Sequence, residues 1–68
     1  MSRVLYTGDA ALIVCVNESS ASLSRVVSVS DYKYEIPVEA GRSRLVLVNL
    51  KDGKIIVDTK GKPIVRMK

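Results

Sequence analysis

Two aliphatic, β-branched runs, Arg44–Leu–Val–Leu–Val–Asn–Leu–Lys51 and Lys54–Ile–Ile–Val–Asp58, meet at the dipeptide Asp52–Gly53. Few short sequences constrain a chain more. Asp-Gly between strand-forming runs selects a two-residue hairpin turn with both central residues at positive φ. Such a turn sets the register of the 44–58 hairpin, pairing Leu50 with Ile55, Val48 with Val57 and Leu47 with Asp58. It also sets the faces, because side chains alternate along a strand. Val46, Val48, Leu50, Ile55, Val57 and Thr59 are expected on the core side. The other side collects Leu45, Leu47 and Ile56 near its base and Lys51 and Lys54 toward the turn, so Leu45, Leu47 and Ile56 are the candidates for contact with another subunit.

The rest of the chain also reads as strands. Tyr32–Val38 alternates, with Tyr32, Tyr34, Ile36 and Val38 on one face and Lys33, Glu35 and Pro37 on the other. Ser24–Ser30 is β-branched and half polar, and Arg3–Tyr6 is a short first strand. Pro63 opens a last strand or lies on an edge, since proline donates no ladder hydrogen bond. Ala11–Val16 is apolar on both faces, which predicts a strand covered on both sides. The serine-rich Asn17–Leu23 predicts a loop, with Ser19 or Ser20 placed to cap a single helical turn. Strands recurring every eight to twelve residues or so predict an all-β fold, a small barrel or sandwich of five to six mainly antiparallel short strands.

Sixty-eight residues make one domain, spanning 1–68. So short a chain hides only about 60% of the surface its unfolded form exposes and usually needs a disulfide, a metal or another chain. Cys15 is the only cysteine and there is no histidine, so an internal disulfide is excluded and no structural zinc or other cofactor is expected. With 47% hydrophobic residues and three aromatics, the core must be Val, Ile and Leu, in larger supply than so small an interior hides. A homo-oligomer is therefore expected. The absence of Gln and the presence of only two Asn, beside plentiful Lys and Arg, give a thermophile-like composition. No apolar run approaches the roughly 20 residues of a membrane span. The longest, Ala10–Val16, follows Asp9 and precedes no small-residue cleavage pattern, so it is read as a strand rather than a signal-peptide core. A lone cysteine fits the reducing cytoplasm, the expected compartment.

The inventory argues against an enzyme. There is no histidine to act as a base, and the glycines at 8, 41, 53 and 61 form no phosphate-cradling loop. Cys15 sits between Val14 and Val16 with no sequence-near cation to lower its pKa, which marks a buried structural thiol.

Charge divides the chain. From Arg42 onward eight cations face two acids, net +6, whereas residues 1–41 carry three cations and five acids, net −2. A basic half attracts phosphates. One expectation is therefore a small oligomeric nucleic-acid-binding protein in which Arg42, Arg44, Lys51, Lys54, Lys60, Lys62 and Arg66 make sequence-independent phosphate contacts to DNA or RNA. Tyr32 or Tyr34 would stack on an unpaired base, unless both rings pack over a core or a subunit interface instead. The alternative is a non-enzymatic structural or protein-interaction subunit, of a capsid, filament or assembled complex, that self-associates through its aliphatic sheet faces. Nucleic-acid binding requires the cations in one continuous patch, whereas self-association requires only apolar surface. Gly53–Lys–Ile–Ile–Val–Asp–Thr–Lys–Gly61 resembles the C-terminal hairpin of the tryptophan-responsive RNA-binding attenuation proteins, small all-β subunits that form rings. The likeness covers those nine residues, and no ligand or residue role is carried over from it.

Overall fold

In the computed structural model, which describes residues 2–59 and 63–67, the alternating runs become seven antiparallel strands, with no helix among the described residues. They are β1 (Ser2–Thr7), β2 (Ala10–Val16), β3 (Leu23–Val29), β4 (Tyr32–Val38), β5 (Ser43–Asn49), β6 (Ile55–Asp58) and β7 (Val65–Met67). Two sheets form, in the orders β1-β2-β5-β6 and β3-β4-β7. The all-β expectation holds, as a sandwich and not a closed barrel, with seven strands where five to six were expected. The count rises because both short terminal runs find partners, β1 on β2 and β7 on β4.

The hairpin turns at 8–9, 30–31 and 50–54 gather at one end of the sandwich, and the crossovers at 17–22 and 39–42 lie at the other. Between the sheets sits one aliphatic core. Ala11, Ile13, Cys15, Val46 and Val48 come from the larger sheet, and Val27, Val29, Tyr34, Ile36 and Val38 from the smaller. Burial pushes the Cys15 thiol above its ordinary pKa, as for an inert core thiol.

The crossover end is tied by Asn17, which is buried. Its side-chain amide donates to the carbonyls of Ala21 (2.9 Å) and Val38 (3.0 Å), while its Oδ1 accepts from the amide and hydroxyl of Ser19. These bonds satisfy the loop in a bent but non-helical path, so the helical turn anticipated at Ser19 or Ser20 does not form.

The 44–58 hairpin forms, but in a different register. Asp52 does not adopt positive φ, and Gly53 alone does (φ 73°). The loop spans Leu50–Gly53, closed by Gly53 N–H donating to Asn49 O and Asn49 N–H to Lys54 O, both at 2.8 Å. Asn49 Oδ1 accepts from Lys51 N–H, starting the turn two residues before the Asp-Gly pair is reached. Val48 then pairs with Ile55, Leu47 with Val57 and Val46 with Asp58, with Ile56 as the extra residue of a bulge. The shift exchanges the faces of the last two residues. Val57 turns outward and Asp58 turns inward, to the buried Arg44. That guanidinium bonds Asp58 through Nε (2.9 Å) and Nη2 (2.6 Å) and Pro37 O through Nη1 (2.8 Å). An inward arginine needs a counter-charge beside it, and only this register supplies one.

Candidate functional site

Two surfaces compete, one basic and one apolar. Strand β5 is seven residues long, so it holds its two ends roughly 20 Å apart. Arg42 lies in the β4–β5 crossover at one end, while Lys51 and Lys54 lie in the loop after β5 at the other. Arg44, between them, is 3% exposed and held by Asp58, so its charge is withdrawn from any phosphate. Lys60 and Lys62 lie outside the described residues. Of the five proposed cations among the described residues, the fold gathers Lys51, Lys54 and Arg66.

At that turn end Arg66 lies over the Tyr32 ring, its guanidinium carbon 5.6 Å from the centroid, and donates to the Asp52 carbonyl at 2.9 Å. Tyr32 donates to the Lys51 carbonyl at 3.2 Å. Tyr34 is buried and donates to the Gly53 carbonyl at 2.6 Å, with burial pushing its hydroxyl pKa up against the opposing field of Arg66. Both rings are thus used to pin the 50–54 loop, and Tyr34 offers no face for a base. Lys33, Lys51, Lys54 and Arg66 share this end with Asp9, Asp31 and Asp52, and Asp9 lies 3.5 Å from Lys51 across an exposed ion pair. The local field is nearly balanced.

At the crossover end a cleft of about 360 Å³ lies between Pro37–Glu39, Arg42–Arg44 and Thr59. Of its charges Arg44 is held by Asp58, and the exposed Arg42 shares the cleft with the exposed Glu39, whose carbonyl accepts from the Arg42 backbone N–H.

The outer face of the larger sheet is different. Leu5, Leu12, Leu47 and Val57 pair in register across β1, β2, β5 and β6, forming one aliphatic row over the whole width of the sheet. A second row sets Val14 beside Leu45, with Val16 and Ala10 extending the apolar surface along β2. Exposure reaches 50% at Leu5, 43% at Leu45 and 57% at Val57, and Ile56 stands 53% exposed at the edge bulge. Among the described residues the only charged side chain directed outward from these four strands is Arg3, at the margin.

Leu45, Leu47 and Ile56, proposed from the sequence as interface candidates, all lie on or beside this face. Leu5, Leu12, Val14 and Val57 were missed there. The signal for Leu12 and Val14 was present in the two-sided apolarity of Ala11–Val16, which anticipates cover on both faces. The smaller sheet covers one face, and nothing among the described residues covers the other. No protein-family model, curated protein or solved structure matches the chain.

Proposed function

We propose that this protein is a non-enzymatic structural or interaction subunit that self-associates through the outer face of its four-stranded sheet. The observation that carries this proposal is β2, seven apolar residues in a row on a strand with one uncovered side. Fully burying a Leu or Val contributes about 1.5–3 kcal/mol, so each half-exposed residue of the face has roughly 1 kcal/mol to gain from cover. Counted over two copies, such residues in register give on the order of 10–15 kcal/mol gross, and the surplus over the roughly 4 kcal/mol or more that association costs corresponds to binding at about micromolar to millimolar concentration. A buried thiol that needs no disulfide fits the cytoplasm as the site of this work.

Nucleic-acid binding is the second reading, favoured by one feature, the Arg66 guanidinium held over Tyr32 beside exposed Lys51 and Lys54. Three cations in reach of a backbone imply a salt slope of only about −3 in log K against log salt.

One pair of measurements separates the two. Sedimentation of the wild-type chain should show self-association that Leu47→Lys abolishes while circular dichroism stays β. Titration of labelled single- and double-stranded oligonucleotides at two salt concentrations should show weak binding at most, removed by Lys51→Glu/Lys54→Glu. A chain that stays monomeric yet binds oligonucleotides tightly would reverse the order of the two readings.

A further inference from the structure

The outer face of the four-stranded sheet is close to self-complementary. Its middle row places the half-buried Leu12 and Leu47 at the centre and the more exposed Leu5 and Val57 at the two margins. A half-turn about an axis running along the strands, between β2 and β5, lays this row over itself in reverse. Leu12 then meets Leu47 of a second copy, Leu5 meets Val57, and in the next row Val14 meets Leu45. A half-turn about an axis across the strands instead sets Leu45 against Asn49 and Val14 against Ala10. That would bury the Asn49 amide under an aliphatic side chain that cannot bond it.

We infer that a second copy of this chain occupies the face, packed sheet on sheet about a twofold axis running along the strands, an inference that rests on the self-association proposed above. Stacked sheets pack face to face at about 10 Å, with aliphatic side chains filling the gap, as they do between the two sheets of this chain. The face measures about 19 Å across four strands and about 20 Å along them, a flat footprint near 400 Å² per copy. With side-chain relief the pair approaches the ~1,000 Å² at which a specific interface begins. A different partner would need a flat, uncharged aliphatic sheet of the same width, and a second copy supplies one by construction. The two Arg3 side chains, at the β1 margins, fall on opposite sides of such a dimer, so the one outward charge meets no like charge.

The test combines analytical ultracentrifugation of the full chain with disulfide trapping between differently tagged Leu5→Cys and Val57→Cys chains. Native Cys15 is buried and stays out of the reaction. The wild type should sediment at twice the chain mass, and Val57→Lys, altering a side chain that is exposed in the free chain, should halve it without loss of β signal. Mixing the two cysteine variants should give a cross-linked heterodimer in excess over either variant alone. Leu5→Cys trapping itself as readily as it traps Val57→Cys would put the axis across the strands, overturning the inference while leaving self-association intact. A dimer unaffected by Val57→Lys would move the contact to another surface and overturn it too. A single-chain mass up to the solubility limit would remove both the inference and the proposal beneath it.

Discussion

Asp58→Ala tests what holds the last hairpin in its register. The Arg44 guanidinium is 3% exposed and takes both Asp58 oxygens, with Pro37 O as its third partner. Removing the carboxylate leaves a buried cation with one neutral acceptor, a change that costs about 3–5 kcal/mol when a buried pair is broken. The Asp58 side chain is 28% exposed, so water reaches one side of the pair and the lower end, about 3 kcal/mol, is the better figure. At roughly 0.05–0.15 kcal/mol per residue the whole domain has only about 3–10 kcal/mol of stability, so the loss is a large share of it. For a domain of this size it corresponds to a fall in Tm of roughly 12–24 °C. Arg44→Met should cost less, about 1–2 kcal/mol, because the carboxylate left behind can turn to solvent. The double variant should recover part of the Asp58→Ala loss, since the buried charge goes with its partner. Urea unfolding followed by far-UV circular dichroism measures all three. If Asp58→Ala lies within about 1 kcal/mol of wild type, or the double variant is worse than Asp58→Ala alone, the pair does not set the register.

Gly53→Ala should destabilise by about 2 kcal/mol or more, since a Cβ there meets two Tyr32 ring carbons at 2.7 Å on a backbone at φ 73° that itself costs an L-residue about 1–2 kcal/mol. Gly41→Ala, at φ 67° with open space around it, should show the backbone cost alone, and equal losses at the two sites would refute the crowding. Burial raises both the Cys15 thiol and the Tyr34 hydroxyl. Their contribution to stability is therefore complete below the unfolded chain's ordinary values and is lost as pH rises from there through the shifted ones. Urea midpoints should fall along an alkaline limb that Cys15→Ala and Tyr34→Phe each flatten, and a limb unchanged in both variants would contradict this assignment.

The strands and their faces were legible in the sequence wherever alternation was clean. Tyr34, Ile36 and Val38 are buried as their spacing anticipates, and Cys15 lies at the core of β2 as its neighbours imply. Parity along β5 even places Arg44 on the inward side with Val46 and Val48, so its burial was within reach. The register of β6 was not, because it depends on two contacts that no local pattern announces. Asn49 starts the turn early by accepting from Lys51 N–H, and Asp58 is drawn inward by an arginine fourteen residues away. The basic half misled for a related reason. Residues close in sequence on an antiparallel sheet lie at alternating ends and faces, so a run of cations in the chain is not a cluster in space.

A contrast within the molecule, more than its overall apolarity, marks out the outer face of the larger sheet. The outward positions of the smaller sheet include Ser24, Val26, Ser28, Lys33, Glu35 and Pro37, a mixture that water solvates well. The outward positions of the two central strands of the larger sheet are Ala10, Leu12, Val14 and Val16 on β2 and Ser43, Leu45, Leu47 and Asn49 on β5, without a charge among them. Both faces belong to one short chain under the same limit on how much apolar surface it can hide, and only one of them keeps to the polar-out rule of a solvated antiparallel sheet. Edge protection does not explain the difference, because the aliphatic residues run through the centre of the sheet and not along its rim. Nor does core packing, which uses only the inward residues 11, 13 and 15 of β2. A sandwich of two sheets has one interior. A central strand apolar on both sides calls for a second, which nothing among the described residues supplies on this face.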